Sequence, residues 1–365
     1  MKNLFGGIYK DKTVLVTGHT GFKGSWLCFW LKQMGAKVVG YSLEAPTNPN
    51  HFELLNLDIT SIKGNIKDLE HLNTVFQTYK PDIVFHLAAQ ALVKYSYENP
   101  IETYETNVMG TLKVFEASRI NNVKAIVNIT SDKAYENREW IWGYRENDPM
   151  GGYDPYSSSK GCADILTNSY RNSFFNIKDY KKTHNTLIAT CRAGNVIGGG
   201  DWAKDRLITD IMISVSIGKK VSIRNPKATR PWQHVLEPLS GYLQIGQKLL
   251  EEKVEFAEAW NFGPTDEGSI AVEEVVQNVK KHWDKIDYEI NKDPNQLHEA
   301  NLLKLDCSKA HILLKWKDVW DSETTFEKTV KWYKSYYENN KEILTQNDLE
   351  SYIADAKAKN IEWAR

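Results

Sequence analysis

Thr17-Gly18-His19-Thr20-Gly21-Phe22-Lys23-Gly24 stands between a short β-branched run, Thr13–Val16, and a helix-like stretch, Ser25–Met34, that stops at Gly35. Glycines three apart permit a tight turn and let backbone N–H groups approach a pyrophosphate at a helix N-terminus. The spacing is G-x-x-G-x-x-G rather than G-x-G-x-x-G. Alone, such a turn is as often plain structure as a phosphate cradle. Its position at the first strand–helix junction favours the cradle.

Outward from this turn the chain keeps alternating. Lys37–Tyr41, Asp82–Leu87, Ala125–Thr130 and Leu187–Arg192 read as strands; Glu102–Arg119 and a segment opening near Pro155 read as helices. That order predicts an α/β, Rossmann-type doubly wound parallel sheet covered on both faces. Beyond about residue 190 the grain is finer, with helices expected at Arg206–Ile217, Pro238–Leu250, Val272–Trp283 and Thr325–Tyr337, and a strand at Val221–Arg224. We expect a dinucleotide-binding domain over residues 1–193. Residues 194–345 form mainly a smaller, mixed α/β substrate-binding lobe with segments returning to the first domain. A polar helical tail of unassigned role covers 346–365.

Composition narrows the function. The chain has 365 residues, with 46 basic against 47 acidic side chains and a net charge of −1, so nothing suggests a nucleic-acid surface. The four cysteines, Cys28, Cys162, Cys191 and Cys307, are too scattered for a disulfide framework or a zinc site. No metal is expected; His234 has no evident companion ligand. The start lacks the apolar core of a secretion signal, and no apolar run approaches membrane-spanning length, so a soluble cytoplasmic protein is expected.

Two further strings carry chemistry. In Tyr156-Ser157-Ser158-Ser159-Lys160, the i, i+4 spacing puts phenol and amine on one helical face. A phenol with a reference pKa of ~10 needs a nearby cation to act as a base at neutral pH. Thr130-Ser131-Asp132-Lys133 ends a strand on the carboxyl side, where parallel sheets bind ligands. Each string alone is matched by a bland reading, a solvated helix pair or a solvated turn. Their order along the chain, after the glycine turn, weighs against both.

With T-G-x-x-G-x-x-G, His86-Leu87-Ala88-Ala89, Thr106-Asn107-Val108 and Y-x-x-x-K in this order, the chain resembles the extended short-chain dehydrogenase/reductases. Its finer strings are similar to those of the CDP-glucose 4,6-dehydratases: GHTGFKGSW (18–26), TSDK (130–133), NREWIWGY (137–144), RAGNVIGGGDWAKD (192–205) and RPWQH (230–234). The match runs from about residue 8 to beyond 310. It implies NAD bound and recycled, a nucleotide-sugar substrate such as CDP-glucose, and a homodimer or homotetramer. The cytidine preference rests on this resemblance alone.

By the same resemblance Thr17, Gly18, His19, Gly21, Phe22, Lys23 and Gly24 hold the pyrophosphate, and Leu87, Ala88, Ala89, Gln90 and Asn107 line the rest of the cofactor. Asn65-Ile66 replaces the usual Asp near the adenine; an Asn carbonyl still accepts from the adenine amine, without charge assistance. Tyr41-Ser42-Leu43-Glu44 has neither an acid in the most usual place for the ribose 2′-OH nor an Arg for a 2′-phosphate, so that strand does not choose between NAD and NADP. Tyr156, Lys160 and Ser131 are expected to oxidise C4 of the sugar. Asp132 and Lys133 are expected to serve the C5/C6 elimination, with Lys133 either neutral and a base or charged and steadying an enolate. Asn195, Arg206, Arg224 and Arg230 are the substrate candidates. Trp140 and Trp142 fit a pocket wall or simple packing equally well, and backbone clearance beside the sugar is expected of Gly198–Gly200. The rivals are a 4-epimerase, another nucleotide-sugar dehydratase, or a silent NAD-binding regulator.

Overall fold

The computed structural model describes residues 1–223, 226, 228–264, 269–291 and 302–365. Its strands are β1 (Thr13–Thr17), β2 (Lys37–Ser42), β3 (Thr60–Lys63), β4 (Ile83–His86), β5 (Ala125–Ile129) and β6 (Leu187–Ala193). They continue with β7 (Asn195–Ile197), β8 (Val221–Ile223), β9 (Thr229–His234), β10 (Ala259–Phe262), β11 (Ser269–Ala271) and β12 (Tyr288–Ile290). One sheet runs β10-β6-β5-β4-β1-β2-β3 with every neighbouring pair parallel. The doubly wound α/β expectation is met.

The reason lies in the strand sequences. Successive side chains point to opposite faces, and a sheet buried on both sides must be apolar at every position. Val14, Val16, Ile83, Phe85 and Val127 meet α1 (Phe22–Gln33) on one face; Leu15, Val84, Ile126 and Ile188 meet α2 (Leu69–Tyr79) and α3 (Thr111–Ile120) on the other. Neither β3 nor α2 was read from the sequence. β3 is a short, largely exposed edge strand with no apolar pattern, whereas α2 carried a usable signal: the Asp68 side chain caps it by accepting from the His71 N–H.

The helix expected over Glu102–Arg119 is divided. Pro100–Tyr104 is α-helical, Glu105–Gly110 widens into a π turn, and α3 follows. Such widened turns gather at functional sites, and this one holds Asn107. The remaining helices of ten residues or more are α4 (Pro155–Ser173), α5 (Leu207–Ser216), α6 (Leu236–Leu250), α7 (Val272–His282), α8 (Ser322–Glu338) and α9 (Thr345–Ala358). After β6 the chain builds two small sheets, β11-β9-β7 and β12-β8, over a separate apolar cluster including Met212, Val276, Phe326 and Trp332. β10 then returns to the large sheet beside β6.

The polar tail has a buried face. Leu349, Tyr352 and Ala356 of α9 join the core under β1 and β4, and Trp363, 2% exposed, stacks on Phe5 with ring centroids 5.1 Å apart. Trp363→Ala should therefore cost roughly 3 kcal/mol, read as a lower urea midpoint; an unchanged midpoint would mean the tail adds nothing to the core. Among the described residues, no helix is long and apolar enough to cross a membrane.

Candidate active site

The glycine turn is fixed by close backbone approach. Gly18 has φ +75°, and a Cβ there would lie 2.8 Å from Ala88 N and Cα; at Gly24 it would lie 2.1 Å from the Gly18 carbonyl oxygen. A directed hydrogen-bond chain ties this turn to β4. Ala88 N–H donates to Thr17 Oγ1 (3.2 Å), Thr17 lies 2.6 Å from His86 Nδ1, and His86 Nε2 lies 3.0 Å from Thr111 Oγ1. Because Thr111 donates to the Asn107 carbonyl (2.7 Å), it accepts from His86 Nε2–H, which leaves Nδ1 to accept from Thr17. Burial, helped by the Lys160 charge, pushes the His86 pKa down to about 3, so the neutral ring suits the chain.

Asn107 spends its amide on the protein: Oδ1 accepts from Gln90 N (2.8 Å), and Nδ2 donates to Gln90 O (3.0 Å) and Ser159 Oγ (2.9 Å). It clamps the loop after β4 to α4, between Tyr156 and Lys160. His19 turns its ring under β2, where a Cβ on Gly40 would lie 2.3 Å from it, and its Nε2 meets Ser61 Oγ at 2.7 Å. Burial lowers its pKa to about 4. Beside it, at the carboxyl ends of β1–β3, opens a cavity of about 670 Å³ lined by residues including His19, Thr20, Ser42, Glu44, Phe52 and Lys63. Glu44 pairs with Lys63 there. Asn65 Oδ1 accepts from Lys67 N (2.9 Å), and Ile66 is buried against Gly110.

At the other end of the turn lie the candidate acid–base residues. Asp154 caps α4, its Oδ1 accepting from Ser157 N at 2.9 Å with Pro155 in the first turn, and so aims Tyr156 and Lys160 from one face. Lys160 is 7% exposed and donates to the Ile129 carbonyl (3.4 Å). Burial pushes its pKa down to about 8, against the attraction of Asp164. Burial pushes the Tyr156 phenol up to about 12, while the Ser131 hydroxyl and the Arg206 charge favour its ionisation and Asp132 and Asp154 oppose it.

Asp132, 4% exposed, accepts from Ser131 Oγ (3.0 Å) and Lys133 N (2.8 Å) through the same oxygen. Burial raises its pKa, while the Lys133 charge, the Ser131 hydroxyl, the Lys133 N–H and the Lys23 charge hold it back. Lys23, from the first turn of α1, is lowered to about 8 by burial and by Arg206, against Asp132 and Asp201. A carboxyl whose pKa is raised by burial holds its proton to higher pH and can donate it, as a charged carboxylate cannot.

Of the substrate candidates, Arg206 reaches this cluster. Its Nη1 lies 2.5 Å from Asp201 Oδ2, and its charge acts on both Tyr156 and Lys23. Asn195 on β7 pairs in register with Trp232 on β9, two residues from Arg230. Arg224 lies outside the described residues. Asp201 was missed, although it directly follows Gly198–Gly200 in the string shared with the dehydratases.

The glycine loop needs correction. Its clearance is filled by protein: a Cβ on Gly199 would lie 2.0 Å from the Trp332 ring, and one on Gly200 2.6 Å from His51. Trp26 Nε1 donates to Gly199 O (2.9 Å), so these glycines let aromatic side chains close over the backbone. Trp140 stacks on Tyr144 at 5.3 Å, continuing a ladder from Tyr135, while Trp142 is 64% exposed.

Comparison with known proteins now bears on this geometry. A family model described as GDP-mannose 4,6 dehydratase matches residues 15–331. A "CDP-glucose 4,6-dehydratase" of Salmonella typhimurium (strain LT2) is 52% identical over 350 residues, covering 95% of this chain and 97% of that protein. The chain belongs to the GDP-mannose 4,6 dehydratase family. A more distant relative is a "dTDP-D-glucose 4,6-dehydratase" of Dictyostelium discoideum, 28% identical over 68% of this chain and 58% of that one. The same fold occurs in an epimerase from Methanothermobacter thermautotrophicus, TM-score 0.77 with 25% identity over 93% of this chain and 95% of that one. It also occurs in a dTDP-glucose 4,6-dehydratase from Bacillus anthracis solved in complex with NAD, TM-score 0.73 with 22% identity over 90% of this chain and 98% of that one.

Proposed function

We propose that the chain is an NAD-dependent CDP-glucose 4,6-dehydratase, converting CDP-D-glucose to CDP-4-keto-6-deoxy-D-glucose and water. The observation that carries this reading is the 52% identity, over nearly the whole of both chains, to a protein of that name. The intact set of Ser131, Asp132, Lys133, Tyr156 and Lys160 supports it chemically. An epimerase has no use for the Asp132–Lys133 pair, and a silent regulator has none for the tyrosine and lysine. The product would feed deoxysugar synthesis of the lipopolysaccharide or O-antigen type.

The glycine turn suits a pyrophosphate, since it links β1 to the N-terminus of α1, where backbone N–H groups can face an anion, and its glycines allow the tight packing of that turn. The cavity beside His19 suits an adenosine; Asn65 and Ile66, expected near the adenine, are not among its lining residues. NAD, when bound, would supply the acceptor for the C4 hydride and the donor that returns it to C6. Every proton moves on the protein. Tyr156 takes the proton of the 4-hydroxyl, and Ser131 donates a hydrogen bond to the forming C4 carbonyl. Lys160 steadies the tyrosinate by charge. The C4 ketone acidifies C5–H, and Lys133, acting as the base, takes that proton and returns it to C5 when the hydride reaches C6. Asp132 gives its proton to the 6-hydroxyl as water leaves. Arg206 and Arg230, with Asn195, would receive the diphosphate-linked sugar, because guanidinium meets phosphate oxygens in a fork.

The protein would work in the cytoplasm as a homo-oligomer. Pro100–Tyr104, the π turn and α4 present an apolar face with Ile101 75%, Met109 47% and Ile165 57% exposed. An exposed apolar patch of this kind suits a two-fold pair of copies. Ile101→Glu should yield a monomer in sedimentation analysis; an unaltered oligomer would move the interface elsewhere.

The function is tested by mass spectrometry of CDP-glucose incubated with protein and NAD, with UDP-, GDP- and dTDP-glucose in parallel. Loss of one water from CDP-glucose alone, without net NADH, is expected. Turnover of a different nucleotide sugar would keep the chemistry and change the substrate; no turnover with NAD bound would favour the regulator.

A further inference from the structure

Behind Lys160 lies a buried ion pair that the reaction as written does not use. Asp164 follows Lys160 by one helical turn, on the face that also carries Tyr156, and is 3% exposed. Arg192 of β6 grips it: Nη2 meets Oδ1 at 2.8 Å, and Nε lies 3.2 and 3.1 Å from the two oxygens. Thr130, the residue before Ser131, donates to Oδ2 at 2.7 Å. The guanidinium is fixed in turn by the Tyr135 hydroxyl (2.5 Å) and the Glu146 carbonyl (3.1 Å), and lies 4.8 Å over the Tyr135 ring. A buried pair is a poor device for stability, since apolar side chains of similar volume do as well or better. Its position at Lys160 calls for another account.

The surroundings of Lys160 supply one. Lys23 from α1 adds a like charge, and His86 from β4 is neutral. β5 offers only the Ile129 carbonyl, and Asp132 after it faces Lys23 and Tyr156. The π turn contributes uncharged Asn107, while its Glu105 pairs with Lys67. Asp164 is the carboxylate that acts on the amine. Without it, burial and Lys23 would drive the proton off.

We propose that Asp164, oriented by Arg192 and Thr130, is a positioning residue that keeps Lys160 charged, extending the Tyr156–Lys160 pair to a third member one turn further along α4. Arg192 limits the effect by covering part of the carboxylate, so the two residues act in opposite directions on the amine. The inference rests on the reading of Lys160 given under the proposed function.

Its test is the pH dependence of kcat for CDP-glucose, with the pH dependence of the NAD dissociation constant measured alongside. Loss of the Lys160 charge lowers both as pH rises. D164N, isosteric and neutral, is expected to move this alkaline limb to lower pH by about one unit, with D164E restoring it. R192K replaces a fork by a point charge, exposes more of the carboxylate, and should move the limb the other way. A folded D164N with the limb of the native protein, or with a loss equal at every pH, overturns the proposal. Should D164N not fold, a static limb in R192K overturns it. NAD affinity needs no sugar turnover, so a protein inert toward CDP-glucose sinks the dehydratase reading and leaves this test standing.

Discussion

Tyr156→Phe is expected to lower kcat by about 10³-fold, within the range typical of a lost general acid–base group. By the proposed mechanism the phenol, as its tyrosinate, is the group that takes the proton of the sugar 4-hydroxyl. Burial holds its pKa up, near 12, and the Ser131 hydroxyl and the Arg206 charge ease its ionisation. Removing the oxygen leaves the ring, and so the packing, in place. Nucleotide binding should be intact, and the first hydride transfer should vanish, so a rapid mix with CDP-glucose gives no transient absorbance of reduced cofactor. A variant that still reduces the cofactor at the native rate would take Tyr156 out of the reaction.

Asp132→Asn and Lys133→Met are expected to fail one step later. Each should lose roughly 10²–10⁴ in dehydration, equivalent to about 3–5 kcal/mol in the barrier, while transient reduced cofactor still appears. The argument is one of location and protonation. Asp132 is enclosed, and burial raises its pKa, favouring the acid form that can hand a proton to the departing hydroxyl. Asparagine keeps the shape and the acceptor for Ser131 and the Lys133 N–H, but has no such proton. In the native protein, the C6 step should weaken as pH rises through the raised Asp132 pKa, because the acid form is then lost. Full dehydration by both variants would rule the assignment out. Loss of cofactor reduction as well would mean that the turn after β5 serves the oxidation instead.

The outcome of reading the chain before its fold follows the range of the interactions. The turn at Gly18–Gly24, the alternation of strand and helix, and the shared face of Tyr156 and Lys160 are local: each depends on residues within a few positions, and glycine or i, i+4 spacing writes them directly. Asp68 before α2 was equally local and could have been used. The π turn around Asn107 was not legible, since Glu102–Arg119 satisfies a helical pattern whichever register its hydrogen bonds adopt. For the glycines after β7, the sequence indicates that the backbone needs space without saying what occupies it, and the occupants, Trp332 and His51, come from distant segments.

By itself, then, the sequence determined the doubly wound sheet, the glycine turn, and the places of the candidate acid–base residues at the carboxyl end of β5 and the start of α4. Only the tertiary structure decided which charges those residues feel. It brought Arg206 and Asp201 to Tyr156 and Lys23, paired Asp164 with Arg192 behind Lys160, and seated Trp363 of the tail on Phe5 near the opposite end of the chain. Desolvation and Coulomb attraction depend on distance through space, and no spacing along the chain encodes it.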